Sequence, residues 1–394
     1  MPDIRARLRA ADRALVPELW PEIEARTPGS SLPPPWKGRA TAGALAALVF
    51  ALGGVLLVRT FSSGEPAATD RRSPSPGAST SPTSSPSTSP SVSPSPLEPK
   101  ANGRIAFMRI APSTVQEGQP IKAALFSVNP DGTGLKKLGP PIPVGRPAWS
   151  PDGEQIAFEA GDGIFVVQAD GTGARRVTSC DPPACDGEGS PGWSPDGSRL
   201  AFWADRDGHE GLWLVGADGS GLELRSEGLS FGPPAWSPDG SLIAVAGHTV
   251  ADTDEEGIFL ISADTGAVLR QIRPQGLALP TFVSWSPDGQ QLTFDAVGAG
   301  GSLDEAGVYV IRADGSDLRL LTSFSCPQLT NACEALQPAW SPDGRLVAFT
   351  RGGFELGGDG STGDLFTIDV ETGAISRVTG GPGLDCCSSW QPVD

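Results

Sequence analysis

From residue 101 to the end, the chain alternates short apolar runs with polar turns, and the alternation recurs at a nearly fixed period. QIAF, RLAF, LIAV, QLTF and LVAF are followed, after a polar loop of variable length, by GIFVV, GLWLV, GIFLI, GVYVI and DLFTI. Runs of four or five apolar residues bounded by Gly, Pro, Asp and Ser read as strands between tight turns, not as helices. Each first run is preceded by the pentapeptide WSPDG, starting at Trp149, Trp193, Trp236, Trp285 and Trp340, with a degenerate WQPVD at Trp390. The intervals are 44, 43, 49, 55 and 50 residues. Each second run leads into a turn such as ADGTG or ADGSG and then a fourth short run.

A unit of four short strands repeated at this interval predicts propeller blades. Ser-Pro-Asp-Gly suits a type I turn, with Pro fixing φ at its second position and Gly free to turn left-handed at its end. The segment GRIAFMR at 103–109 matches the second strand of a blade without its Trp strand, whereas Trp390 begins a first strand with nothing after it. Joined, they complete one blade and remove two open sheet edges. The expected fold is therefore all-β: a six-bladed propeller over residues 101–394, closed by its terminal strands.

The WSPDG and ADGTG pattern resembles the TolB-like propeller family over residues 103–394. Proteins similar to TolB are extracytoplasmic binding scaffolds, so the resemblance implies the propeller fold and a binding role, while the fold itself hosts many activities. It also marks two departures. TolB carries a cleaved signal and a small α/β domain before its propeller, and here an expected membrane helix and a stalk stand in their place.

The first hundred residues divide into three. Residues 1–39 hold a short amphipathic pattern (Ile4, Leu8, Ala11, Leu15) broken by Pro17, and carry a net charge of +2. Residues 40–58 are nineteen uncharged, mostly apolar residues flanked by Lys37, Arg39 and Arg59. As a helix they reach about 28 Å, the hydrocarbon thickness of a bilayer, and the excess of Lys and Arg before them places the N-terminus in the cytoplasm. Residues 59–100 form a stalk in which 21 of the 24 residues from Ser73 to Pro96 are Ser, Thr or Pro, a composition that cannot bury a core. The expectation is a single-pass membrane protein with a cytoplasmic tail and an extracytoplasmic propeller.

Charge sharpens the choice of partner. The net charge of −17 resides in residues 101–394, which alone carry −20. Such a surface repels nucleic acid. With strand direction alternating, the WSPDG and ADGTG turns share one face, the bottom. The second-to-third and blade-to-blade connections share the other, and loops of unequal length on a rigid frame are where function resides. Asp162, Asp205, Asp207, Glu210, Asp252, Asp254, Glu255, Glu256, Asp304 and Glu305 fall in those upper loops and are the candidate binding residues, an acidic mouth for a basic partner.

The repeated Trp149, Trp193, Trp236, Trp285, Trp340 and Trp390 read as packing between blades, and Asp152, Asp196, Asp239, Asp288 and Asp343 as turn-forming residues, not metal ligands. Cys180 with Cys185 and Cys326 with Cys333 are expected as disulfides in blade-to-blade loops, while the adjacent Cys386 and Cys387 form a vicinal bridge or stay reduced. No catalytic residue, metal site or cofactor is expected: the chain has two His, no G-x-S-x-G elbow, no Walker loop and no H-E-x-x-H. The function expected is a non-enzymatic scaffold, a monomeric propeller binding a protein, peptide or envelope glycan. The alternatives are a metal-assisted lyase or hydrolase at the acidic face, and a transmembrane regulator with an anti-sigma-like tail.

Overall fold

The structure, a computed structural model, describes residues 101–110, 123–138, 145–160, 163–180, 185–252, 255–299, 302–323, 332–334, 337–354 and 362–393. The tail, the apolar segment at 40–58 and the stalk lie outside these residues, as do Asp162, Asp254 and Cys326. Among the described residues no helix is long and apolar enough to cross a membrane.

All the described regular structure is strand, arranged as a propeller. Four repeats form discrete sheets, ordered from the axis outward. The first consists of Ala148–Trp149, Gln155–Ala160, Gly163–Gln168 and Arg175–Arg176. The second holds Gly192–Trp193 and Cys185–Glu188, both paired with Arg199–Arg206, then His209–Gly216 and Glu223–Glu227. The third holds Ala235–Trp236 and Leu229–Phe231, then Leu242–Thr249, Glu256–Ser262 and Val268–Ile272. The fourth is Leu277–Trp285, Gln291–Gly298, Ser302–Arg312 and Arg319–Ser323.

The remaining nine strands form one sheet. One half contains Ala332–Glu334, Ala339–Trp340, Leu346–Phe354, Thr362–Asp369 and Ile375–Arg377; the other contains Leu384–Val393, Ala101–Ile110, Ala123–Val128 and Lys136–Leu138. The expectation of six separate four-stranded blades is thus corrected to four discrete blades and one composite sheet. The halves are joined where Gly363 pairs in parallel with Leu384 and donates its N–H to the Gly383 carbonyl at 3.1 Å. A Cβ at 363 would lie 2.5 Å from Cδ1 of Leu384, so a larger residue there would require that side chain to shift.

The terminal strands do pair. Leu384–Val393 runs antiparallel to Ala101–Ile110, from Ala101 opposite Val393 to Ile110 opposite Leu384, with bulges at Asn102/Ile105 and Ala106/Met108. Across this seam Arg109 grips Asp385 with both arms, at 2.5 and 2.6 Å, and its guanidinium stacks over Phe107 and Phe126. Asp385 is buried, and burial, with Asp364 adding to it, holds its pKa above the ordinary value although Arg109 and Thr379 pull it down; the Arg109 pKa is raised by its bond to Asp385.

The WSPDG turns are nearly identical. Ser150 accepts from the Gln155 amide at 2.9 Å, Asp152 accepts from the Glu154 amide at 3.0 Å, and Gly153 has φ 69°. Asp196, Asp239, Asp288 and Asp343 accept the equivalent amide, each at 3.0 Å. The second turn is tied to the first: the Ala169 amide donates to Glu154, Ala217 to Ser198 and Ala313 to Gln290. Both kinds of turn therefore share one face.

The apolar core lies between neighbouring sheets. Phe107, Phe202, Phe294 and Phe349, at one position of the repeat, are fully buried. Phe158, Phe294 and Phe349 each stack on the cross-strand aromatic Phe165, Tyr309 and Phe366, with centroids 5.9 to 6.0 Å apart. Such pairs add about 0.5–1.5 kcal/mol beyond the area they bury. Another cluster sets Ile105, Phe107 and Val128 against Ala348 and Leu365, so the two halves of the composite sheet pack face to face.

The seam yields a test. Removing one partner of a buried pair leaves the other charge uncompensated, at a cost of about 3–5 kcal/mol. Arg109→Met and Asp385→Asn should each lower unfolding stability by about 3 kcal/mol, and the double variant by clearly less than their sum. Additive losses in denaturant titrations would show that the pair does not couple the strands.

Candidate functional site

The three residues before each Trp lead into the first strand of the repeat or, in Leu277–Trp285 and Leu384–Val393, lie within it. In chain order, the residue three before Trp is Arg146, Ser190, Pro233, Phe282, Gln337 and Cys387. The first strands pack against one another in succession, and Leu384–Val393 packs against Ala148–Trp149, so these positions surround the axis. The Trp residues lock this ring. The indole N–H of Trp193 donates to Ala148, that of Trp236 to Gly192, that of Trp285 to Ala235 and that of Trp390 to Ala339, at 3.0 to 3.2 Å. At Trp149 and Trp340 the backbone N–H instead donates to Ser389 and Ser284 of the preceding first strand.

Arg146 reaches across the ring. Its Nη2 donates to the carbonyls of Pro338 and Ser388 at 3.2 and 3.3 Å, its guanidinium lies 5.9 Å from the Phe282 ring centroid, and its backbone N–H donates to Ser190 Oγ at 3.3 Å. It thereby touches residues from four other repeats. Its Nη1 is sealed from solvent without a partner. Burial lowers the Arg146 pKa, against the opposing pull of Cys387 and Asp295.

Asp295 supplies the buried acid. It follows the buried Phe of its strand, lies opposite Thr281, and accepts from the Thr281 hydroxyl. Desolvation raises its pKa from 3.8 to about 7, although Thr281, nearby amides and Arg146 favour the charged form. Gln337 and Ser388 each leave one sealed polar atom unbonded. Cys386 and Cys387 are buried, and the Cys387 thiol contacts the Cys386 sulfur at 3.0 Å.

The backbone is strained at the same places. Phe282, Gln337 and Cys387 have φ of 49°, 50° and 64°, and all three occupy the position three before Trp. A non-glycine residue held there costs on the order of 1–3 kcal/mol, and such outliers gather where a structure holds groups in place for use. The arrangement can therefore hold a cation at the axis, store a proton at neutral pH, and carry two adjacent thiols. Among the described residues no three or more His, Cys, Asp or Glu are grouped to hold a metal.

The acidic residues expected at the upper loops are spread over separate hairpins. Asp205 and Glu210 pair across the hairpin whose tip is Asp207, with φ 52°. The Asp252 carbonyl accepts from Thr249, Glu255 lies 3.8 Å from Arg273, and Glu256 accepts the Leu279 N–H at 3.0 Å. Asp304 and Glu305 lie in the strand Ser302–Arg312, and their side chains are outside the described set, as is that of Cys333. Cys180 and Cys185 are joined in a disulfide. A shallow concavity of about 490 Å³ on the turn face is lined by Ser150, Asp152, Trp193 and Asp218 among others.

The axial residues were missed by reasoning from motifs, yet they carry a signal. They fall in two columns of the repeat: three before Trp, and directly after the buried Phe, whose place Val245 takes in the strand Leu242–Thr249. The second column reads Met108, Glu159, Trp203, Ala246, Asp295 and Thr350. Aligning the repeats and asking where polar residues replace apolar ones finds both.

No protein-family model matches the chain, and no curated protein sequence matches it. Solved structures do. TolB from Acinetobacter baumannii superposes with a TM-score of 0.58 at 20% identity, covering 74% of this chain and 67% of that one. The putative TolB from Agrobacterium tumefaciens gives 0.53 at 18% identity, covering 74% and 100%. A chain of the nidogen/laminin complex gives 0.52 at 10% identity, covering 73% and 98%. These likenesses establish the fold, a β-propeller.

The buried acid is testable. A carboxyl whose folded pKa lies above its unfolded value contributes most below the unfolded value, and that contribution is lost as pH rises through the folded pKa. Asp295 should therefore cost the parent up to about 1.4 kcal/mol per pH unit between about pH 4 and about pH 7. Asp295→Asn should remove that slope, raising stability relative to the parent at pH 8 but not at pH 4. Parallel pH–stability curves would refute the assignment.

Proposed function

We propose that the protein is a membrane-anchored, extracytoplasmic scaffold whose propeller binds a protein or peptide partner through its variable-loop face. The observation that carries this reading is the asymmetry between the two faces. One is built from tied, near-identical turns; the other bears connections that differ in every repeat. Both ends of the propeller chain sit at the turn face: Asn102 accepts from the Asp343 amide at 3.1 Å, and Gln391 donates to the Gly153 carbonyl at 2.8 Å. A stalk joined at Ala101 would then leave the variable face directed away from the membrane.

In this reading the composite sheet is two blades that share a single parallel bridge, and the scaffold is a closed ring of six units. The succession of first-strand contacts around the axis and the face-to-face core between the two halves both support it. A propeller of related shape occurs in the nidogen/laminin complex, which supports a protein partner in kind. The acidity of residues 101–394 favours a basic partner surface.

One experiment examines anchor and binding face together. Protease added to intact cells should cut the exposed Ser/Pro stalk and release a fragment of about 300 residues that still captures the partner in crosslinking pull-downs. Capture should weaken in fragments carrying Asp205→Asn, Asp207→Asn and Glu210→Gln, more so at low salt, and persist with Asp170→Asn and Asp218→Asn in the turns. No release, or binding lost only with the turn variants, would overturn the reading.

A further inference from the structure

We infer that Cys386 and Cys387 are a redox-active dithiol at the propeller axis, which exchanges with low-molecular-weight disulfides and closes into a vicinal disulfide. The inference does not depend on where the propeller resides or on what its loops bind.

Four observations carry it. The Cys387 thiol already contacts the Cys386 sulfur at 3.0 Å, and closing a disulfide requires the two to approach to about 2.05 Å. Cys387 is held at φ 64°, so the pair is fixed in a conformation that a free dipeptide avoids. The closing strand is bulged at this point, since its register against the N-terminal strand shifts between Ala106/Ser389 and Met108/Cys386, which frees the local backbone from the ladder. The Arg146 guanidinium, bonded to the Ser388 carbonyl, supplies a fixed positive charge beside the pair.

These features make Cys387 the attacking sulfur. The Cys386 thiol and the Arg146 charge lower the Cys387 pKa, Gln337 adds a hydrogen bond, and burial and Glu159 oppose them. The charged groups facing the thiol are thus Arg146 and Glu159, with Asp295 acting on Arg146. A thiolate stabilised by a neighbouring cation is the reactive form. With only 8% and 7% of Cys386 and Cys387 exposed, the co-reactant is a low-molecular-weight disulfide and not the disulfide of a folded protein.

The exchange balances. The Cys387 thiolate attacks one sulfur of the small disulfide, forming a mixed disulfide and expelling one thiolate, which takes up the proton that left Cys387. Cys386 then attacks the Cys387 sulfur and expels the second thiolate, which takes up the Cys386 proton. Two electrons pass from the protein thiols to the small disulfide, so one protein S–S bond forms while one S–S bond breaks and two free thiols are released.

The test uses the full chain, incubated under native conditions with oxidised glutathione and mapped by peptide mass. Trypsin leaves both residues in one peptide, Val378 to Asp394. That peptide should lose two hydrogens without accumulating a glutathione adduct. Cys386→Ser should instead trap glutathione on Cys387, whereas Cys387→Ser should slow modification of Cys386 at least tenfold. Arg146→Met should slow the reaction of the parent pair about tenfold at neutral pH and move its pH dependence upward, with Arg146→Lys restoring most of the rate. A native pair that keeps both thiols yet oxidises once unfolded would overturn the proposal. So would equal reactivity of Cys386 in the Cys387→Ser variant. The unsubstituted chain gives the first readout, so the outcome does not hinge on any variant folding.

Discussion

The closing strand Leu384–Val393 and the N-terminal strand Ala101–Ile110 come from opposite ends of the propeller, and their pairing is the constraint on which every other contact around the axis depends. A ring of sheets left open exposes two edges and loses the packing of one sheet against the next. Joining strands almost 300 residues apart in sequence incurs a loop-closure cost that local turns cannot repay. The seam meets it with a backbone ladder, the two-armed Arg109–Asp385 pair, and the Phe107 and Phe126 rings beneath that guanidinium. Trp390 adds the last link by donating its indole N–H to Ala339 in the preceding repeat.

Closure also creates the axial cluster. Arg146 bonds to Pro338 and Ser388 and stacks near Phe282, so its surroundings exist only when repeats distant in the chain have been brought together. The cluster is expensive: an arginine nitrogen without a partner, a carboxyl desolvated until it titrates near neutrality, and three non-glycine residues with positive φ. Unfilled polar groups of this kind destabilise a core. Their concentration at the axis, in a molecule whose sheets are otherwise regular, is what marks the axis as more than a packed seam.

Much of the fold was legible because its determinants are local. The WSPDG turn is fixed within six residues: Ser150, Asp152 and Gly153 each do a job their side chain or lack of one dictates, and five copies repeat it. The pairing of the terminal strands could be read from complementary gaps in the repeat. The merger of two repeats into one sheet could not, because a single Gly363–Leu384 bridge leaves no pattern in either segment. The partners of the acidic loops were equally hidden. Glu256 looks like one more charge in a run, yet it bonds the backbone of Leu279, 23 residues away. Arg146, Asp295 and Cys387 belong to no motif; only their shared columns in the repeat connect them.

Native-state hydrogen exchange along the terminal strands tests most directly whether the fold depends on this seam. Backbone amides of Ile105, Ala106 and Met108, and that of Ser389 opposite, should be as protected as those of Ile156 and Ile243 in the second strands of discrete blades, opening only with global unfolding. A seam that exchanges tenfold or more faster than those strands would contradict it, showing that the ring opens while its blades remain intact.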